Sequence, residues 1–150
     1  MSTLFAFLHH LAAFSIVAAL ALQFVLIKGE LNLGRARQLQ VIDRIYGASA
    51  GLLLLVGLLR VFYFEKGTAY YFNNIAFIIK LSAFIIVGLL SIYPTVVILS
   101  WGKTLRQGLV PQLTENKLRT IRRLLHWELI GVVIIILCAA LMARGIGSIG

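Results

Sequence analysis

The sequence predicts an all-α integral membrane protein, a single four-helix bundle spanning residues 1–150. Hydrophobic residues make up 61% of the chain and charged residues 13%, whereas soluble domains average about 45–50% and about 25%. Four apolar runs reach the ~20 residues that a helix needs to cross lipid. The basic residues fall mostly in the connections between those runs. Lipid offers no partners to free backbone groups, so each run is predicted as a helix and not a strand.

The first run, Thr3–Ile27, follows an N-terminus (MSTLFAF) without the positive region of a signal peptide, and it is too long for a signal's apolar core. It is therefore read as a retained helix. The second, Gln40–Phe64, carries Gly47 and Gly51 as a GxxxG pair, a helix-packing signal. The third, Asn74–Trp101, contains Pro94, which predicts a kink near Ser91–Thr95. The fourth, Ile121–Arg144, offers a small-residue pair at Ala139 and Ala143. Between them lie KGELNLGRAR, EKGTAYYFNN and GKTLRQGLVPQLTENK, rich in turn formers and charge. The stretch TENKLRTIRRLLHWE reads as a basic stop at the fourth helix, with an anionic lipid surface as the alternative contact.

Fourteen Lys and Arg face five Asp and Glu, a net charge of +9. In a soluble chain that balance suggests nucleic acid, but no aromatic–basic motif accompanies it and no nucleic-acid partner is expected. The single cysteine, Cys138, excludes an intramolecular disulfide and any CxxC site. The first connection and its flank hold Lys28, Arg35, Arg37 and Arg44; the third holds Lys103, Arg106, Lys117, Arg119, Arg122 and Arg123; the second holds Lys66 beside Glu65. The positive-inside rule then puts loops one and three in the cytoplasm and both termini outside.

Helix rise converts position into depth. His10 lies about 10 Å below the outer end of the first helix, and Lys80 reaches a similar depth on the third. Arg60, Cys138, Met142 and Arg144 fall in the same half. His9 and His10 project about 100° apart, so His9 is assigned to the interface and His10 to the interior. His10, Phe14 and Val17 form one stripe, and Lys80, Phe84, Val87 and Ser91 another. These residues suggest haem b: His10 as axial ligand, Met142 as a candidate second ligand, Phe14 and Phe84 flanking the ring, and Lys80, Arg60 and Arg144 near the propionates. Quinone suits the same slot. Arg60 and Arg144 also lie close enough to the interface to snorkel. A competing expectation is copper, with His10, Cys138 and Met142 as soft donors; a third is an accessory membrane subunit without cofactor. Expected partners are the lipid bilayer, a quinone or redox protein, and a second copy of the chain. At the other end Asp43, Arg44, His126 and Glu128 form a second polar group, read as an ion pair of Glu128 with Arg44 or Arg123, or else as a proton path.

LHHLAAF, LRVFYFEKG, YYFNN, GLLSIYPT and ALMARG resemble motifs of the bacterial membrane proteins grouped as domain of unknown function 2214. That resemblance covers nearly the whole chain and implies a four-helix protein of the bacterial inner membrane without an assigned activity. More distantly the chain is similar to the copper-resistance D-type membrane domain and to HemJ-type protoporphyrinogen oxidase. The latter likeness implies a haem-ligating histidine at His10 and an important lysine at Lys80. The oxidase's further histidine on the third helix is absent from SIYPTV, which sets the oxidase activity in question.

Overall fold

The computed structural model describes residues 2–64 and 68–149. The expectations placed on Glu65 and Lys66 lie outside the described residues. Four long helices dominate: α1 (Ser2–Lys28), α2 (Leu33–Leu59), α4 (Ile75–Ser100) and α6 (Glu115–Ala143). Two short ones, α3 (Thr68–Phe72) and α5 (Gly102–Arg106), sit in the connections, and α2 runs on into a π-helical turn at Arg60–Phe64. All four long helices are long and apolar enough to cross a membrane. Large apolar side chains such as Leu55, Ile85, Leu89, Val96, Val133 and Leu137 point outward. Lipid is the solvent that makes such a surface stable.

The helices form a ring in which α1 neighbours α2 and α6, and α4 neighbours α6 and α2. The most extensive packing joins α4 to α6 and α1 to α2. Two ends result. The terminal end carries both chain termini and the α2–α4 connection; the basic end carries the α1–α2 and α4–α6 connections.

Two helices begin six or seven residues earlier than the apolar runs, because polar caps start them. Asn32 accepts from the Arg35 amide at 2.8 Å, and Thr114 accepts from the Lys117 amide at 3.3 Å. Asn74 does the same for α4 through the Phe77 amide at 3.2 Å. Each such cap stabilises a helix by about 0.5–2 kcal/mol. Helix α4 continues through Pro94, which is buried.

The predicted packing motifs fare unevenly. Gly47 and Gly51 are exposed, and a methyl group built on either meets no atom within 4 Å; their face looks outward and joins no helix of this chain. Close approach instead occurs at Gly131, where an added methyl group would run into the Val87 side chain of α4. Ala139 is half-buried and Ala143 exposed.

The basic end is fastened by side chains that donate to helix-terminal carbonyls. Arg122 donates to Ile27 O at 3.2 Å and Lys28 O at 3.3 Å, occupying orphan acceptors at the end of α1. Gln40 reaches Ile98 O at 3.1 Å, and Arg37 reaches Leu105 O at 3.3 Å. The basic entrance to α6 thus has a structural role through Arg122.

The terminal end closes with a clasp. The Ile146 amide donates to Leu141 O at 3.0 Å and the Gly145 amide to Met142 O at 2.9 Å. With Gly145 at φ 71°, this is a Schellman stop for α6. The tail then turns back: Ile75 N donates to Gly147 O and Ile149 N to Asn73 O, both at 2.8 Å. Asn74, 0% exposed, sits inside this clasp.

Candidate functional site

Two polar clusters occupy the interior, one in each half. The buried stripe of α1 runs Ala12, Ile16, Ala19, Leu20, Gln23 and Ile27, and His9 continues it towards the terminal end. The histidine assignment is therefore reversed. His9 is half-buried, with its Nδ1 enclosed and without a hydrogen-bond partner, and it lies against Gly57 of α2. His10 is exposed, its Nδ1 donating to Ala6 O at 2.6 Å. Phe14, on the same side, is 72% exposed. One residue is about 100° of helix, enough to exchange interior for lipid.

The other predicted stripe does face inward. Lys80 and Phe84 are half-buried and Val87 is buried. Lys80 and Arg60, which is half-buried at the start of the π-helical turn, both act electrostatically on the His9 ring. Arg60 and the buried Cys138 act on Lys80. Among the described residues no carboxylate acts on Lys80 or His9. His9, Arg60, Lys80 and Cys138 therefore converge, drawn from α1, the π-helical end of α2, α4 and α6. Arg144 ends α6, exposed, while Met142 is half-buried; neither is placed in this cluster by any interaction the structure records.

The second cluster lies towards the basic end. Asp43, 3% exposed, accepts from Gln23 Nε2 and from Thr95 Oγ1, each at 3.0 Å. Tyr46 is buried beside Ser91 and Glu128. Glu128 is 1% exposed, and neither of its oxygens has a partner in hydrogen-bond geometry. The expected ion pair does not form: Arg44 and Arg123 are exposed, pointing away from the interior. His126 is also exposed, stacked near Phe24 and Trp127. The sequence reading missed Gln23, Tyr46 and Thr95 as members. Their signal was available, since a polar residue inside an apolar run has little other place to go.

Between the clusters lies a cavity of about 80 Å³, lined by Ala13, Val17, Leu53, Phe84, Val132 and Ile135 and reaching Tyr46 and Ser91. Its lining is almost wholly apolar, the kind of void that stays dry. Cofactor pockets measure about 300–1,000 Å³, and a cavity near 150 Å³ holds no more than a benzene-sized ring. This cavity is smaller than the pockets that hold haem b or quinone. The intended ligand and flanking residue on α1, His10 and Phe14, also turn away from it. Of the expected copper donors, His10 is exposed while Cys138 is buried and Met142 half-buried on α6.

Comparison with known proteins found no matching curated protein and no matching solved structure. The distant likeness to the copper-resistance and oxidase families gains nothing from it. Several motifs of the nearer resemblance have visible structural work: ALMARG builds the Schellman stop, YYFNN the clasp, and LRVFYF the π-helical turn that carries Arg60. The family model for a predicted membrane protein, DUF2214, matches residues 1–147, and the chain belongs to that family.

Proposed function

We propose that this membrane protein binds an anionic group in the terminal half of its bundle, at His9, Arg60 and Lys80, with the basic end facing the cytoplasm. The convergence of two cations and an imidazole in a lipid-enclosed interior carries the proposal. Lys80 has no acidic partner among the described residues, and the His9 Nδ1 is enclosed without one. Like charges held together at low dielectric repel. An anion bound between them removes that repulsion and accepts charge-assisted hydrogen bonds. π-helical turns recur where a helix must re-aim a functional side chain, and Arg60 opens such a turn.

The acidic group comes either from the headgroup of an anionic lipid or from a small anion reaching the terminal face. Thermal stability of the purified protein in neutral detergent tests the site, with inorganic phosphate in one arm and phosphatidylglycerol in the other. The arm that stabilises names the source. Lys80→Met is expected to weaken that stabilisation at least about tenfold in ligand concentration, since a hydrogen bond to a charged group contributes about 1.5–3 kcal/mol. His9→Ala weakens it as well, and His10→Ala leaves it unchanged. Equal stabilisation of wild type and Lys80→Met rejects the site.

A further inference from the structure

The pair of carboxylates in the other half has a different chemistry, independent of the anion site. We propose that Asp43 and Glu128 share one exchangeable proton, forming an intramembrane proton site that communicates with the basic end. Both side chains lie in the bundle interior, 3% and 1% exposed, and Asp43 acts electrostatically on Glu128. Asp43 has two donors, Gln23 and Thr95, directed at Oδ1. Glu128 has no donor in hydrogen-bond geometry on either oxygen, with only the Tyr46 hydroxyl standing beside it. An ionised carboxylate buried without a partner is strongly unfavourable, and two adjacent ionised carboxylates are worse. The donors assign the charge: Asp43 is held as the carboxylate and Glu128 as the neutral acid.

Apart from the two acids, the groups that face the pair from the surrounding helices are neutral. From α1 comes the neutral Gln23, from α4 the neutral Thr95 and Ser91, and from α2 Asp43 and Tyr46. From α6 only Glu128 itself faces inward there. The basic residues of those helices are elsewhere: Arg44 and Arg123 are exposed, and Arg122 is engaged by the end of α1. No cation among the described residues pairs with either acid, so a proton is the species that balances the second charge.

The site has a route for exchange. A wide depression of about 490 Å³ at the basic end is lined by Arg37, Gln40, Arg44, Leu99, Leu105 and Arg106. Gln40, buried in its floor, stands one helical turn before Asp43 on α2. Towards the terminal end, beyond Tyr46 and Ser91, the cavity is lined by apolar side chains. Protons therefore enter and leave through the basic end: Glu128 releases its proton to water there and regains it from the same side.

Infrared spectroscopy of the full-length protein in lipid tests this. At neutral pH the wild type is expected to show the carbonyl band of a protonated carboxylic acid, shifting in heavy water. Glu128→Gln removes that band, and Glu115→Gln, on an exposed carboxylate, leaves it. Asp43→Asn keeps the band but shifts its frequency, because the neighbouring charge is gone. A wild type without the band at neutral pH overturns the proposal, whether or not the variants fold. A band that survives unchanged in well-folded Glu128→Gln also overturns it.

Discussion

The two halves of the bundle interior solve the same problem in opposite ways. In the terminal half His9, Arg60 and Lys80 gather positive charge; towards the basic end Asp43 and Glu128 gather negative charge. Fourteen residues of α1 separate His9 from Gln23, about 21 Å along the helix, with a dry cavity between. The acids and bases therefore do not neutralise each other, although pairing across a bundle is the usual way to hold charge in lipid. On the readings proposed above, an anion serves Lys80 and His9 in one half, and a proton serves Glu128 in the other.

Asp43 and Glu128 differ just as usefully from each other. Asp43→Ala strands both the Gln23 amide and the Thr95 hydroxyl, at about 1–3 kcal/mol for each orphaned group. Glu128→Gln strands no recorded donor and puts a neutral side chain of the same size in place of a neutral acid, so its loss is expected to be smaller, about 1 kcal/mol. Chemical unfolding in detergent measures both. Equal losses would mean that the two acids are held alike, and the contrast would collapse.

Gly131→Leu is the next largest effect. It forces a side chain into Val87 at the α4–α6 seam, and overpacking of this kind costs about 1–3 kcal/mol. It probes the scaffold shared by both halves, so both should lose stability together. Gly147→Ala acts on the terminal half alone. Its φ of 104° disfavours any side chain, and the new methyl carbon would stand 2.9 Å from Asn74 Oδ1. A loss of about 1–2 kcal/mol is expected, with faster amide exchange at Ile75 and Ile149 and none at the basic end. Gly47→Ala, on the outward face, acts in the opposite direction. Removing glycine from a helix interior should stabilise it by about 0.5–1 kcal/mol. A marked loss would show that the Gly47 face is packed against something.

The fold was legible because lipid imposes long apolar helices, and hydropathy alone locates them. The third helix was read almost to its caps, since Asn74 and Trp101 bound it in both accounts. The second and fourth helices were placed short, because their first turns are polar and project beyond the apolar runs. The choice of face failed on α1 for a physical reason. In a soluble helix large apolar side chains mark the inside, whereas in lipid they are equally at home outside. Phe14 was read as lining a pocket and faces outward; Ala12, Ala19 and Gln23, small or polar, mark the true interior. On α4 the stripe was readable because Lys80 and Ser91 are polar and leave only one comfortable direction. The acid cluster was seen at Asp43 and Glu128, but the expected arginine partner was not. Arginines near a helix end reach the headgroup region more cheaply than a buried carboxylate.

The segregation of charge is tested most directly by locating an anion. A crystal of the protein soaked in bromide should show an anomalous peak among His9, Arg60 and Lys80 and none beside Asp43 or Glu128. A peak next to Glu128, or an empty terminal half in a crystal that binds bromide elsewhere on the protein, would contradict the account.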